Sequence, residues 1–271
     1  MEDRYWETSL SYTSEDGIFI RGYDLSEIIG SIPFPSALYL LYTGNLPTPE
    51  VAKLIDAVMV ASIDHGAGAP SALAARTAVS GGAPLGAAGA AGLLALGRFH
   101  GAAVQDAMEA IRRVVVLSES DGTSQNVESA AERVVEEWRK AGKRISGFGH
   151  RQHKRKDPRL ERLMALARDA GVGGSYLNAA SALESALHRV LGKTLPINID
   201  GAIAAILCEI DFPVGLANAV FMVSRMTGIL AHAQEEQDQM PPMRRIDPVN
   251  HGYSGPAARK LLPTNEGMPR D

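Results

Sequence analysis

Several kinds of residue are scarce in this sequence, and each shortage excludes a class of protein. The 271 residues include a single cysteine, Cys208, which excludes a disulfide framework and any zinc site made of several cysteines. One unpaired cysteine suits a reducing compartment, so we expect a cytoplasmic protein. Residues 1–12 lack the apolar segment of a secretory signal. Aromatic residues make up only 6% of the chain, so aliphatic side chains must fill the core.

Charge of one sign and long lipid-like segments are also scarce. The formal net charge of −4 argues against a protein that binds nucleic acid over its whole surface. The longest uncharged stretch, residues 77–97, consists of alanine and glycine with Pro84 inside. Such small residues gain little from lipid, and they favour a closely packed pair of buried helices. We therefore expect neither a membrane nor a nucleic acid as a partner.

The hydrophobic pattern predicts an all-α protein with a short N-terminal β-like arm. Two β-like runs separated by a turn signal lie within residues 1–30, and helical periods with capping residues dominate the rest. Residues 143–158 do not fit a regular element because glycine, proline and dense basic charge occur together there. This pattern is typical of a functional loop.

Four polar residues with acid-base or ligand chemistry lie where predicted helices meet loops. His65, His100 and His150 each adjoin a glycine, and Asp200 precedes Gly201. A neighbouring glycine lets the backbone or a ligand approach closely. Any one of these residues alone would be read as a turn or cap. Four of them in a chain with seven histidines favour a functional site.

A basic segment is the second indication of a ligand. Residues 139–162 contain ten of the 27 basic residues. A charge run of this kind is usually a solvated helix face, but the GFG and DP sequences within it predict a loop. Exposed backbone N–H groups beside basic side chains suit a polyphosphate or a polycarboxylate. Nucleic acid is the competing ligand, and the negative net charge makes it the weaker interpretation.

The predicted helix near residues 213–238 carries a third indication. Arg225 and His232 are seven residues apart and therefore share a helix face. Apolar neighbours on both sides of Arg225 indicate that it is at least partly buried, and a buried arginine needs an anion. That anion is either a ligand or a carboxylate of the same chain.

The motifs that carry these residues, in this order, resemble the citrate synthase superfamily over most of the chain. The most specific piece is GFGH followed by DPR. The spacing of 16 residues between Pro47 and Asp64 resembles the compact citryl-CoA lyases, either stand-alone or as the C-terminal module of ATP-citrate lyase, whereas His100 is more typical of synthases. The matching motifs are GIFIRGYD at 17–24, LYLLYTGNLP at 38–47, DHG at 64–66, RFHGA at 98–102, GFGHR at 147–151, DPR at 157–159, NID at 198–200 and SRMTGILAH at 224–232.

The resemblance implies a helical fold with a large and a small domain. Residues 1–100 and 211–271 would form the large, dimer-forming domain. Residues 101–210 would form the small domain, which carries the coenzyme A loop and the catalytic aspartate. A homodimer, and possibly a higher oligomer, is expected.

The resemblance also implies a reversible Claisen-type reaction that joins acetyl-CoA to oxaloacetate or splits citryl-CoA. Asp200 would be the base in condensation and would protonate the enolate in cleavage. His100 would hydrogen-bond the thioester oxygen, and His150 would handle the proton of the citryl hydroxyl. Groups of this kind each contribute roughly 10²–10⁴-fold to a rate.

The substrate carboxylates would be held by a histidine and by arginines, whose planar fork matches a carboxylate. His65, Arg159 and Arg225 match the family pattern. A further arginine would come from the other subunit, and Arg244 and Arg245 are the two candidates.

Coenzyme A would lie along the basic loop as part of the thioester substrate, and no permanently bound cofactor is expected. A metal site is not expected either, because His150 and His153 have no third ligand in the sequence. The expected coenzyme A contacts are Arg144, Ser146, Gly147, Phe148, Gly149, Arg151, Lys154 and Lys156.

Three hypotheses follow. The first is a citryl-CoA lyase, suggested by the compact spacing. The second is a compact citrate synthase, or a relative that uses another acyl-CoA or 2-oxo acid, suggested by His100. The third is a protein without catalytic activity that binds nucleic acid or acts as a scaffold through its basic loop.

Overall fold

A computed structural model describes residues 7–97, 99–101, 103–119, 126–149, 157–245 and 248–260. Four of the predicted site residues, His150, Arg151, Lys154 and Lys156, lie outside these ranges.

The described residues are mostly helical, as the sequence predicts, with one small sheet near the N-terminus. The strands are β1 (Ser11–Ser14), β2 (Gly17–Ile20) and β3 (Tyr23–Asp24). The helices are α1 (Leu25–Ile28), α2 (Phe34–Thr43), α3 (Pro49–Ser62), α4 (Pro70–Ser80), α5 (Leu85–Leu94), α6 (Val104–Glu119), α7 (Val127–Lys140), α8 (Pro158–Asp169), α9 (Ser175–Leu191), α10 (Ile199–Glu209) and α11 (Ala217–Gln239). Short 3-10 turns occupy Val214–Leu216 and Pro248–Asn250.

The N-terminal arm is an antiparallel sheet in the order β1-β2-β3. Tyr12 and Phe19, directly opposite each other, stack with their ring centroids 4.7 Å apart. Arg21 adopts φ 52° and donates through Nε and Nη2 to the carbonyl of Leu41 at 3.0 and 2.9 Å. This carbonyl lies in the last turn of α2, where no helical N–H is available. The arm is thereby tied to the helical body.

The uncharged stretch 77–97 falls in α4 and α5, which pack against each other and against α11. Glycine allows this approach, because a Cβ at Gly92 would lie 2.5 Å from Cγ2 of Ile229. The described residues contain one stretch long and apolar enough to cross a membrane, Val214–Gln239. It contacts α3, α4, α5 and α6 and buries Arg225 near its middle, as expected of a core helix.

Among the next long helices, α6, α8 and α9 pack against α10, and α7 packs against α6 and α9. Residues 201–208 of α10 are all buried, so the helix that begins with Ile199 and Asp200 is fixed along its length. One hydrophobic cluster includes buried residues from Leu38 of α2 to Phe221 of α11, and it joins α6–α10 to these two helices. The two-domain division stays a prediction.

Candidate active site

Two adjoining cavities meet at Asp200 and His100. The first, here called the arginine-side cavity, has a volume of about 150 Å³. The second, the loop-side cavity, has a volume of about 210 Å³. Both are lined by Phe99, His100, Gly101, Asn198 and Asp200. The arginine-side cavity is also lined by His65, Arg159, Ile199, Phe221 and Arg225. The loop-side cavity is also lined by Ala103, Arg144, Ile145, Ser146, Gly147 and Phe148.

Arg225 points into the arginine-side cavity from the middle of α11 and is only 3% exposed. Its Nε donates to the carbonyl of Ser62 at 2.8 Å, and its guanidinium carbon lies 4.7 Å from the centroid of the Phe221 ring. Burial lowers the pKa of Arg225, partly offset by the charges of Asp64 and Asp200. Within the described residues no carboxylate forms an ion pair with Arg225, so it remains suited to an anionic ligand.

Arg159 enters the same cavity from the first turn of α8. Its Nε and Nη2 donate to the two carboxylate oxygens of Asp157 at 3.0 and 2.7 Å, and its Nη1 donates to the carbonyl of Ala61 at 3.3 Å. Asp157 is buried and also caps α8 by accepting the backbone N–H of Arg159. The guanidinium is thus held in one orientation by the carboxylate of Asp157, which the sequence marks only as part of the DPR motif.

His65 reaches this cavity from the loop after α3. The preceding Asp64 accepts the backbone N–H of Gly66 at 2.9 Å and lies 3.1 Å from Nε2 of His232 on α11. Burial raises the pKa of Asp64, but hydrogen bonds from the loop backbone and from His232 outweigh this effect. The pKa is therefore lowered overall. The anionic Asp64 therefore fixes the loop of His65 to the helix that carries Arg225.

Asp200 lies in the first turn of α10, where both cavities meet. Burial raises the pKa of its carboxyl to about 6, although the charges of Arg159 and Arg225 oppose this shift. Its Oδ1 is buried and has no hydrogen-bond partner among the described residues. An unsatisfied buried carboxylate oxygen is costly in a folded chain, and a carboxyl that titrates near neutral pH is suited to acid-base work.

His100 follows α5 in a tight turn and contacts the N-terminus of α4. The backbone N–H of Ser71 donates to Nε2 of His100 at 3.3 Å, and the Ser71 hydroxyl lies 2.9 Å from the same nitrogen. An Nε2 that accepts an N–H carries no proton, so the network assigns the ring proton to Nδ1. The positive end of the α4 dipole disfavours a charged imidazole. His100 is therefore a neutral donor through Nδ1.

The predicted coenzyme A residues that the structure describes line the loop-side cavity, except Gly149, which follows directly in the chain. Gly147 and Gly149 have φ values of 87° and 83°, a conformation that favours glycine. The Ser146 hydroxyl donates to Asp106 of α6 at 3.3 Å. Three further predicted coenzyme A residues lie outside the described residues, and so does His150. Their roles stay predictions. The three residues are Arg151, Lys154 and Lys156.

A third cavity, of about 380 Å³, shares Arg144, Ile145 and Phe148 with the loop-side cavity. Its walls combine Trp138, Phe148 and leucines with Arg139, Lys143, Arg144 and Lys193. The basic run predicted three of these cations. Lys193 gives no such signal because it lies fifty residues further along the chain, and its segment reaches the loop through contacts such as the bridge between Phe148 and Ile197.

The two candidate C-terminal arginines lie in different environments. Arg244 pairs through Nε and Nη2 with the buried Glu236 of α11, which also accepts from Arg76 at 2.8 Å. The backbone N–H of Arg244 is bonded to the Ser80 hydroxyl. Arg245 is exposed. Arg244 therefore anchors the chain after α11, whereas Arg245 remains accessible.

The described residues contain no group of three or more histidine, cysteine or acidic side chains that could hold a metal ion. His150 and His153 lie outside them, so the expectation that no metal is needed stays a prediction.

The fold and these motifs match a known family. The family model for the citrate synthase C-terminal domain matches residues 45–246, and the chain belongs to the citrate synthase family. The glyoxysomal citrate synthase of Cucurbita maxima is 32% identical over 231 residues, which cover 82% of this chain. The chain spans 42% of the length of that relative.

Solved structures agree with this assignment. A citryl-CoA lyase from Hydrogenobacter thermophilus superposes with a TM-score of 0.85 at 37% identity, covering 96% of this chain and 98% of that one. The citrate synthase of the archaeon Thermoplasma acidophilum, solved with carboxymethyl coenzyme A and oxaloacetate, gives a TM-score of 0.69 at 26% identity, covering 86% of this chain and 60% of that one. The predicted family and fold class are thereby confirmed.

Proposed function

We propose that this protein is a citryl-CoA lyase, which cleaves citryl-CoA to acetyl-CoA and oxaloacetate. The observation that carries the proposal is the similarity to the Hydrogenobacter thermophilus citryl-CoA lyase, which is greater in fold and in identity than the similarity to the Thermoplasma acidophilum citrate synthase. The grouping of acid-base residues beside two arginines supports the same class of chemistry.

In the proposed reaction the citryl part lies in the arginine-side cavity and the thioester reaches in from the loop-side cavity. His65, Arg159 and Arg225 would hold carboxylates there. The citryl hydroxyl loses its proton, a role that the family resemblance gives to His150. The carbon–carbon bond then breaks, the carbonyl of oxaloacetate forms, and the bonding electrons move into the thioester as an enolate.

The two residues at the junction of the cavities would complete the reaction. The Nδ1–H of His100 would donate to the enolate oxygen, where negative charge develops. Protonated Asp200 would then deliver its proton to the enolate carbon and release acetyl-CoA. Its pKa of about 6 lets the same carboxyl act as acid in cleavage and as base in condensation.

The test is to incubate the purified protein with citryl-CoA and to follow two products at once. Oxaloacetate is measured by coupling to malate dehydrogenase and NADH, and free coenzyme A with a thiol reagent. Oxaloacetate without free thiol would support the lyase. Free thiol without oxaloacetate would mean thioester hydrolysis and would overturn the proposal, as would the absence of both products.

A citrate synthase is the second candidate, favoured by His100 and by the sequence similarity to the Cucurbita maxima enzyme. A synthase must hydrolyse the thioester after condensation. Incubation with acetyl-CoA and oxaloacetate would then release one free thiol for each citrate formed, whereas a lyase releases none.

We also propose that the protein acts as a homodimer in which Arg245 of one copy completes the site of the other. Accessible Arg245 and the exposed apolar side chain of Leu94 on α5, 87% exposed, support this arrangement. Light scattering should give twice the mass of the chain. Arg245→Ala should weaken oxaloacetate binding, whereas Arg259→Ala further along the tail serves as its control.

A further inference from the structure

Asn198 connects the two segments that form the loop-side cavity. Its Oδ1 accepts the backbone N–H groups of Asp200 at 2.9 Å and Gly201 at 3.2 Å. Its Nδ2 donates to the carbonyl of Gly149 at 2.9 Å, and its backbone N–H donates to the carbonyl of Gly147 at 3.0 Å. One side-chain amide therefore caps the helix of Asp200 with its oxygen and holds the loop with its nitrogen.

Further backbone contacts around Asn198 hold these two segments in close contact. The N–H of Gly149 donates to the carbonyl of Pro196 at 2.7 Å, and Phe148 pairs with Ile197 in an antiparallel bridge. A Cβ at Gly201 would lie 2.3 Å from the carbonyl oxygen of Gly147. The loop thus rests directly on the first turn of α10, and neither segment can shift without the other.

We propose that Asn198 is a positioning residue that couples occupancy of the 144–149 loop to the placement of Asp200. The inference rests on the proposed function for the identity of the ligand, a coenzyme A thioester. Contacts made by a remote part of a substrate can serve the reacting centre when the two are mechanically joined, and small misplacements of a catalytic group cost up to about 10²-fold in rate.

Conservative substitutions distinguish the role of the amide oxygen, which caps α10, from that of the amide nitrogen, which holds the loop. Serine at position 198 would still cap α10, because Ser is as good an N-cap as Asn, but its short hydroxyl would not reach the carbonyl of Gly149. Aspartate would also cap the helix, but it would set a negative oxygen against that carbonyl. The chain supplies a matched control in Asn126, which caps α7 through the N–H of Glu128 at 3.2 Å and, among the described residues, forms no hydrogen bond with the 144–149 loop.

The experiment compares Asn198→Ser and Asn126→Ser in the full chain by amide hydrogen exchange without ligand, by calorimetric titration with coenzyme A, and by citryl-CoA turnover. In Asn198→Ser we expect faster exchange in the 144–149 loop and about tenfold weaker coenzyme A binding. We also expect kcat to fall about 10–100-fold, while Asn126→Ser behaves as wild type. Asn198→Asp should reproduce the loss if Asn198→Ser is too unstable to purify.

Hydrogen exchange separates this inference from the proposed function, because it needs no substrate. Unchanged exchange in the loop of Asn198→Ser would reduce Asn198 to a helix cap and overturn the inference. Reduced kcat with unaltered loop exchange and coenzyme A affinity would also overturn the coupling. Faster loop exchange in Asn198→Ser, together with no binding of coenzyme A by the wild-type protein, would support the link between the loop and Asp200 and would refute the proposed ligand.

Discussion

The two cavities that meet at Asp200 are built in opposite ways. The arginine-side cavity takes charged side chains from separate elements, and each is fixed by a partner: Arg225 by the carbonyl of Ser62, Arg159 by Asp157. The loop-side cavity takes five of its lining residues from one continuous segment, residues 144–148, in which Gly147 adopts a conformation that other residues rarely adopt. The first can recognise charge through rigid forks, whereas the second offers a glycine-containing loop beside the cation of Arg144.

This contrast predicts that substitutions on each side will affect different substrates. Changes among the arginines should alter the affinity for the dicarboxylate, whereas changes in the loop should alter the affinity for coenzyme A. Asp200 lines both cavities, so its loss should lower turnover while the affinities for the dicarboxylate and for coenzyme A stay unchanged.

The largest expected effect is that of Asp200→Asn, which removes the carboxyl group that lines both cavities and that we propose as proton donor and acceptor. We expect turnover of citryl-CoA to fall by about 10³-fold, with coenzyme A affinity and helical content unchanged. Asp169→Asn at the exposed end of α8 is the control and should keep full activity. Retained turnover in Asp200→Asn would remove this residue from the mechanism.

The same variant should be more stable than wild type above pH 6. The folded-state pKa of Asp200 is raised by burial from 3.8 to about 6, so the folded state binds this proton more tightly than the unfolded state. Stability is therefore lost as the pH rises from about 4 to about 6, by about 3 kcal/mol at most. Asparagine avoids this loss. Urea unfolding should show the difference at pH 8 and none near pH 3.5.

Gly201→Ala should damage the loop-side cavity selectively. The added Cβ would lie 2.3 Å from the carbonyl oxygen of Gly147, so the loop must move, at a cost of about 1–3 kcal/mol in unfolding free energy. Coenzyme A affinity should fall with it, while oxaloacetate affinity should not. Gly215→Ala, where a Cβ meets nothing within 4 Å, is the control. Equal stability of the two variants would contradict the close contact.

Arg225→Lys, which alters the arginine-side cavity, should have the smallest of these four predicted effects. Lysine keeps the charge but loses the planar fork, so we expect KM for oxaloacetate in the condensation direction to rise about tenfold, with coenzyme A affinity unchanged. Arg162→Lys, an exposed substitution on α8, should have no effect. An unchanged KM in Arg225→Lys would make Arg225 a structural residue.

The structure brings His65, His100 and Arg225 to one cavity, and the sequence points to these residues because each carries its own chemical signal, whereas Arg159 is predicted only by the family resemblance. Arg225 was recognised as a cation within an apolar helix, and His65 and His100 as histidines beside glycine. Their partners gave no such signal: Ser71 is an ordinary helix residue until the fold brings it to His100, twenty-nine positions away.

The loop side was harder to predict in detail. The glycines of the loop marked a tight turn, but the role of Asn198 depends on which segments the fold places side by side. Glycine spacing does not encode the close approach of Gly147 to Gly201, because that contact follows from the packing of α10. The choice between Arg244 and Arg245 likewise depended on the buried position of Glu236, which no local pattern reveals.

In the proposed reaction we expect Asp200 to move a proton at the carbon next to the thioester. This step is tested most directly by incubating the protein with acetyl-CoA and oxaloacetate in deuterated water and following the methyl signal by NMR. We expect deuterium in the methyl group, at a rate that rises with pH to a plateau above about 6 because the carboxylate is the base, and no exchange with Asp200→Asn. Exchange that persists in that variant, or no exchange with the wild-type protein, would contradict it.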